Sequence, residues 1–500
     1  MIKLSTSDSM KAYATKNNLK VTERTLSIFK RYIFSIPFDE DVDQRSKPYF
    51  YKSIASFLEH LICSATVSRG TKKKADFEGD DEWTYSIPFP YDLGRDIAPA
   101  VFKRSRELHF TRALELLEYH KIIKIIRHNA AKRKCRRFCF SQEFLSNLFE
   151  CSRESYLSRQ DRYYRLSDIY MKGCSWTIDE LISVSLRDNG VVKNKVSCRD
   201  IPENEFRSLV KNVYNNLSSL MINIDAMMTY CNENPSAINC SYFYNFISHI
   251  SNIESEVKSL NPLVISYMQS YKTASKGSRS FEVGTGFQYL PSKMKWSSLA
   301  KGFNYDIKSC QLQILKNEFR RNGITRRNLG LLSTENICRD LKIDDKHVKT
   351  YRFAAIFNLG VVNCSPKSNM MKSLTKLLGP CKSRRLLERW NERLSPLRSN
   401  MNELVDIYAR SGRNTKHGYF VENAVGQKFN CGVPNDKFGL TNANKRKLLA
   451  HMIQGIESKA VYDFVLNNEG VCALEHDGFV SLNELSDDAW THPYLKIVKK

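Results

Sequence analysis

The chain's 500 residues carry 77 lysines and arginines against 53 acids, a formal charge of +24 that calls for a polyanionic partner, either nucleic acid or an anionic membrane surface. With 42% hydrophobic and 26% charged residues, its composition is that of a globular protein with room for two to four domains. No run approaches the roughly 18 apolar residues of a membrane span, and the N-terminal MIKLSTSDSMKAYATK has no apolar signal core, so nucleic acid is the expected partner and a membrane is not.

Residues 1–95 read as short amphipathic helices (TLSIFKRYIF, KPYFYKSIASFLEHLI) and a charged, turn-rich loop from Thr71 to Trp83, with no chemistry to assign. From Asp96 to Leu148 the pattern sharpens. Helical spacing at Leu108, Ala113, Leu114, Leu116 and Leu117 precedes a strand-like run from Ile122 to Ile126, the basic loop AAKRKCRR, a second strand FCF and a helix start at Ser141. Helix, strand, basic hairpin, strand is the outline of a winged helix. In it Lys132, Arg133, Lys134, Arg136 and Arg137 would touch phosphates, which positions without specifying; a solvated basic hairpin is the alternative.

Residues 150–275 alternate Leu, Met and Ile stripes with Asn/Ser-rich breaks, and long antiparallel helices are expected there. At Lys276 the texture changes to KGSRSFEVGTGFQYLPSKMKW, where Arg279, Lys293 and Lys295 are interleaved with aromatics. That composition suits a nucleic-acid backbone track, or a plain basic loop. The fourteen cysteines include no CxxC pair. Cys135 with Cys139 and Cys231 with Cys240 are the nearest approaches, so buried thiols are expected rather than disulfides or zinc.

Two later stretches each set an acid at the edge of an apolar run: FNYDIKSCQLQIL with Asp306, and ALEHDGFVS with Asp477. Each acid alone is a common turn or cap residue. Brought together at strand ends, the two would hold a pair of divalent ions about 3.5–4 Å apart, as in-line phosphoryl displacement requires. Between them, a helix from Asp344 or Asp345 carries Lys349, Arg352, Phe353, Ile356 and Phe357 at three- and four-residue steps. It is suited to grip a triphosphate and stack on a base, or else is a solvated basic face. SRRLLERWNERLSPLRSNMNELVDIYA reads as helix with an internal Pro396, RNTKHGYFVENAVGQKFN as a hairpin turning at Gly418 and Gly426, and NKRKLLAHMIQGIESKAVYDFVLNN as a helix interrupted at Gln454-Gly455. A glycine there costs about 1 kcal/mol against Ala and suggests close approach of another backbone or a nucleic-acid strand.

Taken in order from about Arg279 to Leu482, these pieces resemble the catalytic half of family A (Pol I-like) DNA polymerases, with single-subunit phage-type RNA polymerases as neighbouring relatives. DIKSCQLQIL is similar to the first palm motif, KTYRFAAIFNLG to the triphosphate-binding fingers helix, HMIQGIESK to the "QG" helix and LEHDGFVS to the His-Asp hairpin. The resemblance implies an α+β, right-hand polymerase with an antiparallel palm sheet and helical fingers and thumb. Its parts would be a basic N-terminal domain of winged-helix outline (1–150), a helical thumb-like region (151–276), and palm and fingers (277–500).

It further implies a nucleotidyltransferase using two Mg²⁺, or Mn²⁺, held by Asp306, Asp477 and the Ile307 carbonyl. His476 would lie by the primer end, Gln454 on template or primer backbone, Lys349 and Arg352 at the triphosphate, and Phe357 under the base. Partners would be DNA template and primer, nucleoside triphosphates, and at most a small single-strand-binding protein or a helicase. The setting would be replication of a phage, plasmid or other mobile element in a bacterial cytoplasm. Three departures stand out. Phe353 occupies the place of the second fingers cation, Gly478 that of the acid after His-Asp, and Gln311 or Ser309 that of the glutamate that excludes a ribose 2′-hydroxyl. Ribonucleotide use, by a primase or RNA polymerase making primers, is therefore a rival reading, and a catalytically silent DNA-binding replication factor is a third.

Overall fold

The computed structural model describes residues 19–38, 44–67, 87–89, 91–102, 110–126, 136–149, 157–170, 175–187, 205–366, 368–415, 418–431, 440–486 and 488–500. It is an α+β protein of many helices and several small antiparallel sheets. Two compact units interleave along the chain: Met1–Lys195 with Ser219–Ser270 and Glu282–Lys301, and Val196–Ser218 with Tyr271–Phe281 and Gly302–Lys500. The sequence suggests three consecutive blocks divided at 150 and 276; the chain instead leaves and re-enters each unit. No helix among the described residues is long and apolar enough to cross a membrane.

The first unit is built on an aromatic core. The Phe57 ring lies 5.1 Å from Phe89 and 5.2 Å from both Phe102 and Phe138. A helix, Phe110–Tyr119, leads into strand Ile123–Ile126, antiparallel to Arg136–Phe140, which also pairs with Ile87–Phe89. The Ser141 hydroxyl accepts from the Phe144 N–H to open the next helix. The helix-then-hairpin outline is thus present, with Arg136 and the half-buried Arg137 on the second strand. Lys132, Arg133 and Lys134 lie outside the described residues.

The stretch expected to be largely helical holds part of a four-stranded sheet ordered Leu299–Lys301, Leu220–Asn223, Leu263–Tyr267, Ser255–Leu260. Its strands escape a hydrophobic pattern search because serines (Ser255, Ser266) stand at buried positions.

In the second unit, β1 (Phe303–Ile307) is followed by α1 (Cys310–Arg321), α2 (Asp345–Phe357), α3 (Asn442–Asn467), β2 (Val471–Leu474), β3 (Gly478–Ser481) and β4 (Ile497–Lys499). The sheet order is β2-β3-β1-β4. Ser309, at φ 49°, takes the left-handed conformation that breaks β1 and starts α1 one residue later. Pro396 stands in the first turn of helix Ser395–Arg410, after Pro380–Arg393 has ended. There its fixed φ and missing N–H cost nothing. The hairpin 413–430 turns at Gly418 and Gly426, both at positive φ. The helix expected to break at Gln454-Gly455 is continuous across its 26 residues.

Candidate active site

β1 sits between β3 and β4, and its register with β3 sets Asp306 opposite Gly478. The Ile307 N–H donates to the Asp477 carbonyl at 2.8 Å, tying the β2–β3 turn to the end of β1. Two acids 171 residues apart in sequence therefore emerge side by side. They line one cavity of about 150 Å³ together with Ser309 and Gln311 from the start of α1 and Lys349, Arg352 and Phe353 from α2. Burial, and then the neighbouring Asp477, push the Asp306 carboxyl above its usual range, opposed by Lys500 and Lys349. The Lys500 ammonium lies 2.6 Å from Asp306 Oδ2.

Gly478 stands where the resemblance places an acid, and the packing explains its identity. A Cβ on Gly478 would collide with the Tyr305 carbonyl oxygen, so no side chain fits against β1 at this point.

The predicted nucleotide residues divide. Lys349 is in the cavity wall, its ammonium 5.6 Å over the Phe353 ring. Arg352 is there too, with its guanidinium already donating to the Leu332 carbonyl and Thr334 Oγ1, both at 2.8 Å. Phe353 lines the cavity; Phe357, expected under a base, does not, being one helical turn further along α2 with its ring 6.3 Å from Phe353. Gln311 is 3% exposed, and its amide N–H donates to Glu457 Oε2 at 2.6 Å. His476 is exposed, its ring 4.8 Å from Phe281.

Three predicted backbone contacts are corrected or reinterpreted. Arg279 is bound in both directions by the fully buried Glu457, at 2.7 and 3.0 Å, so its charge is used inside the unit. Burial holds the Glu457 carboxyl above its usual range, with Arg279 opposing. In the other unit Lys295 is 6% exposed, its ammonium near the Phe287 and Trp296 rings, which leaves it no phosphate to meet; Lys293 is exposed. The close approach suspected at Gln454-Gly455 comes from this chain. Asn423 lies within 2.6 Å of where a Gly455 Cβ would be, and the Gln454 side chain fills the space beside Gly277.

Sequence reading missed Glu457 and Lys500, and it set Phe357 rather than Phe353 under the base. Glu457 left a trace, a charged residue four positions after Ile453 and three before Ala460 on a buried helix face. Such a carboxylate needs a partner.

Among the described residues, no group of three or more His, Cys, Asp or Glu side chains gathers where it could hold a metal ion. The cavity offers two carboxylates, Asp306 held above its usual range by burial and then by Asp477. Mg²⁺ is commonly held by one or two carboxylates together with substrate phosphates, and this donor set fits it.

No protein-family model matches the chain, and no curated protein matches it. Among solved structures, it is similar to the POL domain of Pol1 from M. smegmatis in complex with DNA primer-template and dNTP. The identity is 12%, and the match covers 43% of this chain and 41% of that one, with a TM-score of 0.29. The chain thus spans about two-fifths of that structure.

Proposed function

We propose that the second unit performs template-directed nucleotidyl transfer, as a family A-like DNA polymerase extending a primer during replication of a phage, plasmid or other mobile element. One observation carries this reading. The register of β1 and β3 sets Asp306 and Asp477 together in one wall of a cavity whose facing residues include Lys349 and Arg352.

Asp306 and Asp477 would hold Mg²⁺, which when bound supplies charge neutralisation and Lewis-acid activation for attack of a 3′-hydroxyl on an α-phosphate. Lys349 would meet the triphosphate, and Phe353, rather than Phe357, the base. Gln311 would face the sugar. Positioning and preorganised charge are what this chain's own residues contribute.

Gln311 favours a second reading. A neutral amide in place of a glutamate removes a carboxylate from the sugar's side of the cavity, and ribonucleotides, hence primer synthesis, become substrates. Template incubated with and without primer, and with labelled dNTPs or rNTPs, separates the two. Asp306→Asn is expected to lower addition on the order of 10²–10³-fold with the fold intact. Unchanged activity would sink the site assignment, and no activity in any arm would favour a silent DNA-binding factor.

A further inference from the structure

Lys447, His451, Gln454 and Ser458 follow one another at steps of four, three and four, and so share a stripe of α3. Gly277 lies along that stripe. Its N–H donates to His451 Nδ1 and its carbonyl accepts from Ser458 Oγ, both at 3.1 Å. Gly277 is at φ +74°, and a Cβ there would meet the Gln454 side chain. The residue before it, Lys276, is thereby set near Lys447, its ammonium 5.0 Å over the Phe429 ring. That ring in turn lies 5.4 Å from the His451 ring, tilted at 37° to it.

Neither lysine has an acidic partner among the described residues. Their neighbours do: Lys445 meets Asp406 at 2.8 Å, and Lys459 meets Asp463. Burial and Lys447 both pull the Lys276 ammonium below its usual range. A cation merely solvated at the surface would not be seated on a ring beside a second cation. This arrangement is unfavourable until an anion arrives.

We propose that Lys276 and Lys447 grip the phosphodiester backbone of a nucleic-acid strand, beside Gln454. The proposal rests on the nucleic-acid reading above and supplies contacts in place of Arg279 and Lys295, whose charges are used internally. The excess of 77 basic over 53 acidic residues matches such a partner.

The test is fluorescence anisotropy with a fluorescein-labelled primer–template DNA duplex, titrated at several KCl concentrations. Lys276→Ala/Lys447→Ala is expected to bind about tenfold more weakly at 0.1 M salt, with the slope of log K against log salt shallower by roughly 2. Lys459→Ala, which removes a paired surface lysine, should bind like the unaltered protein. Thermal unfolding of the double variant should be unchanged or higher, because a repulsion is relieved; a purely structural role would lower it. Lys447→Gln alone gives the same reading in milder form should the double variant fold poorly.

Affinity and slope equal to the parent's, an equal loss in Lys459→Ala, or no duplex binding by the parent would each overturn the proposal. Nucleotide addition measured on the same proteins separates the two readings. Binding through these lysines without any addition leaves this site standing and removes the polymerase assignment.

Discussion

Gly478 shows how a single position limits the chemistry beside it. The absence of a Cβ lets β3 close on the Tyr305 carbonyl, and Asp477 is carried in by that approach. Gly478→Ala is expected to cost about 1–3 kcal/mol in urea unfolding and to lower nucleotide addition further than that loss explains, because the two acids separate. His451 gives a pH-dependent counterpart. Since the Gly277 N–H donates to Nδ1, Nε2 must carry the proton that goes to the Gln427 carbonyl at 2.9 Å. Burial pushes this imidazole's pKa down to about 4, with Lys276 assisting and the Gln427 bond opposing. A depressed histidine stabilises the fold above its ordinary pKa, near 6.5, and the contribution is lost as pH falls through about 4. Unfolding free energy should therefore fall by up to roughly 3 kcal/mol between pH 7 and 4, and His451→Gln should flatten that part of the curve. Parallel curves for parent and variant would refute the assignment. At this scale the polarity of Asp306, Asp477 and Lys349 against apolar neighbours is visible in one dimension, and the fold brings all three to one cavity. The sequence misleads on Lys295 and Arg279, because whether a cation is exposed depends on partners that only the folded chain brings near.

At the scale of elements, residues 274–280 are joined by buried polar groups to α3 and to the hairpin 413–430. Ser278 donates through its N–H and hydroxyl to Gln427 Oε1, both at 2.9 Å, and Tyr462 donates to the Ser278 carbonyl at 2.6 Å. The Arg279–Glu457 pair is the charged member of this set. Breaking one side of a buried pair costs about 3–5 kcal/mol, whereas replacing both sides by apolar residues is often close to neutral. Arg279→Leu should accordingly destabilise more than Arg279→Leu/Glu457→Leu in a urea double-mutant cycle, and additive losses would show that the pair is not coupled. The helices α2 and α3 are legible from spacing alone. Their attachment is not, since serine, glutamine and histidine read as surface residues until their partners are known.

For the whole molecule, interleaving matters more than any boundary. The helix Glu205–Asn215 packs on α3, and the segment after it donates from the Ser218 N–H to the Val471 carbonyl at 2.8 Å. A fragment beginning at 277 omits that helix and also Tyr271, whose hydroxyl accepts from the Leu474 N–H at 2.8 Å. Expressed alone, residues 277–500 should show no cooperative thermal transition. Adding residues 196–218 and 271–276 should restore one, and a sharp transition in the shorter fragment would show that those segments are dispensable.

The placement of β1 also has a consequence for synthesis on the ribosome. Both neighbours of this strand, Gly478–Ser481 and Ile497–Lys499, are translated more than 170 residues after Asp306. At 5–20 residues per second, β1 waits roughly ten to thirty seconds with both of its edges unpaired. Nascent chains stalled before residue 478 would expose those edges, and are the species in which a holdase chaperone has most to protect.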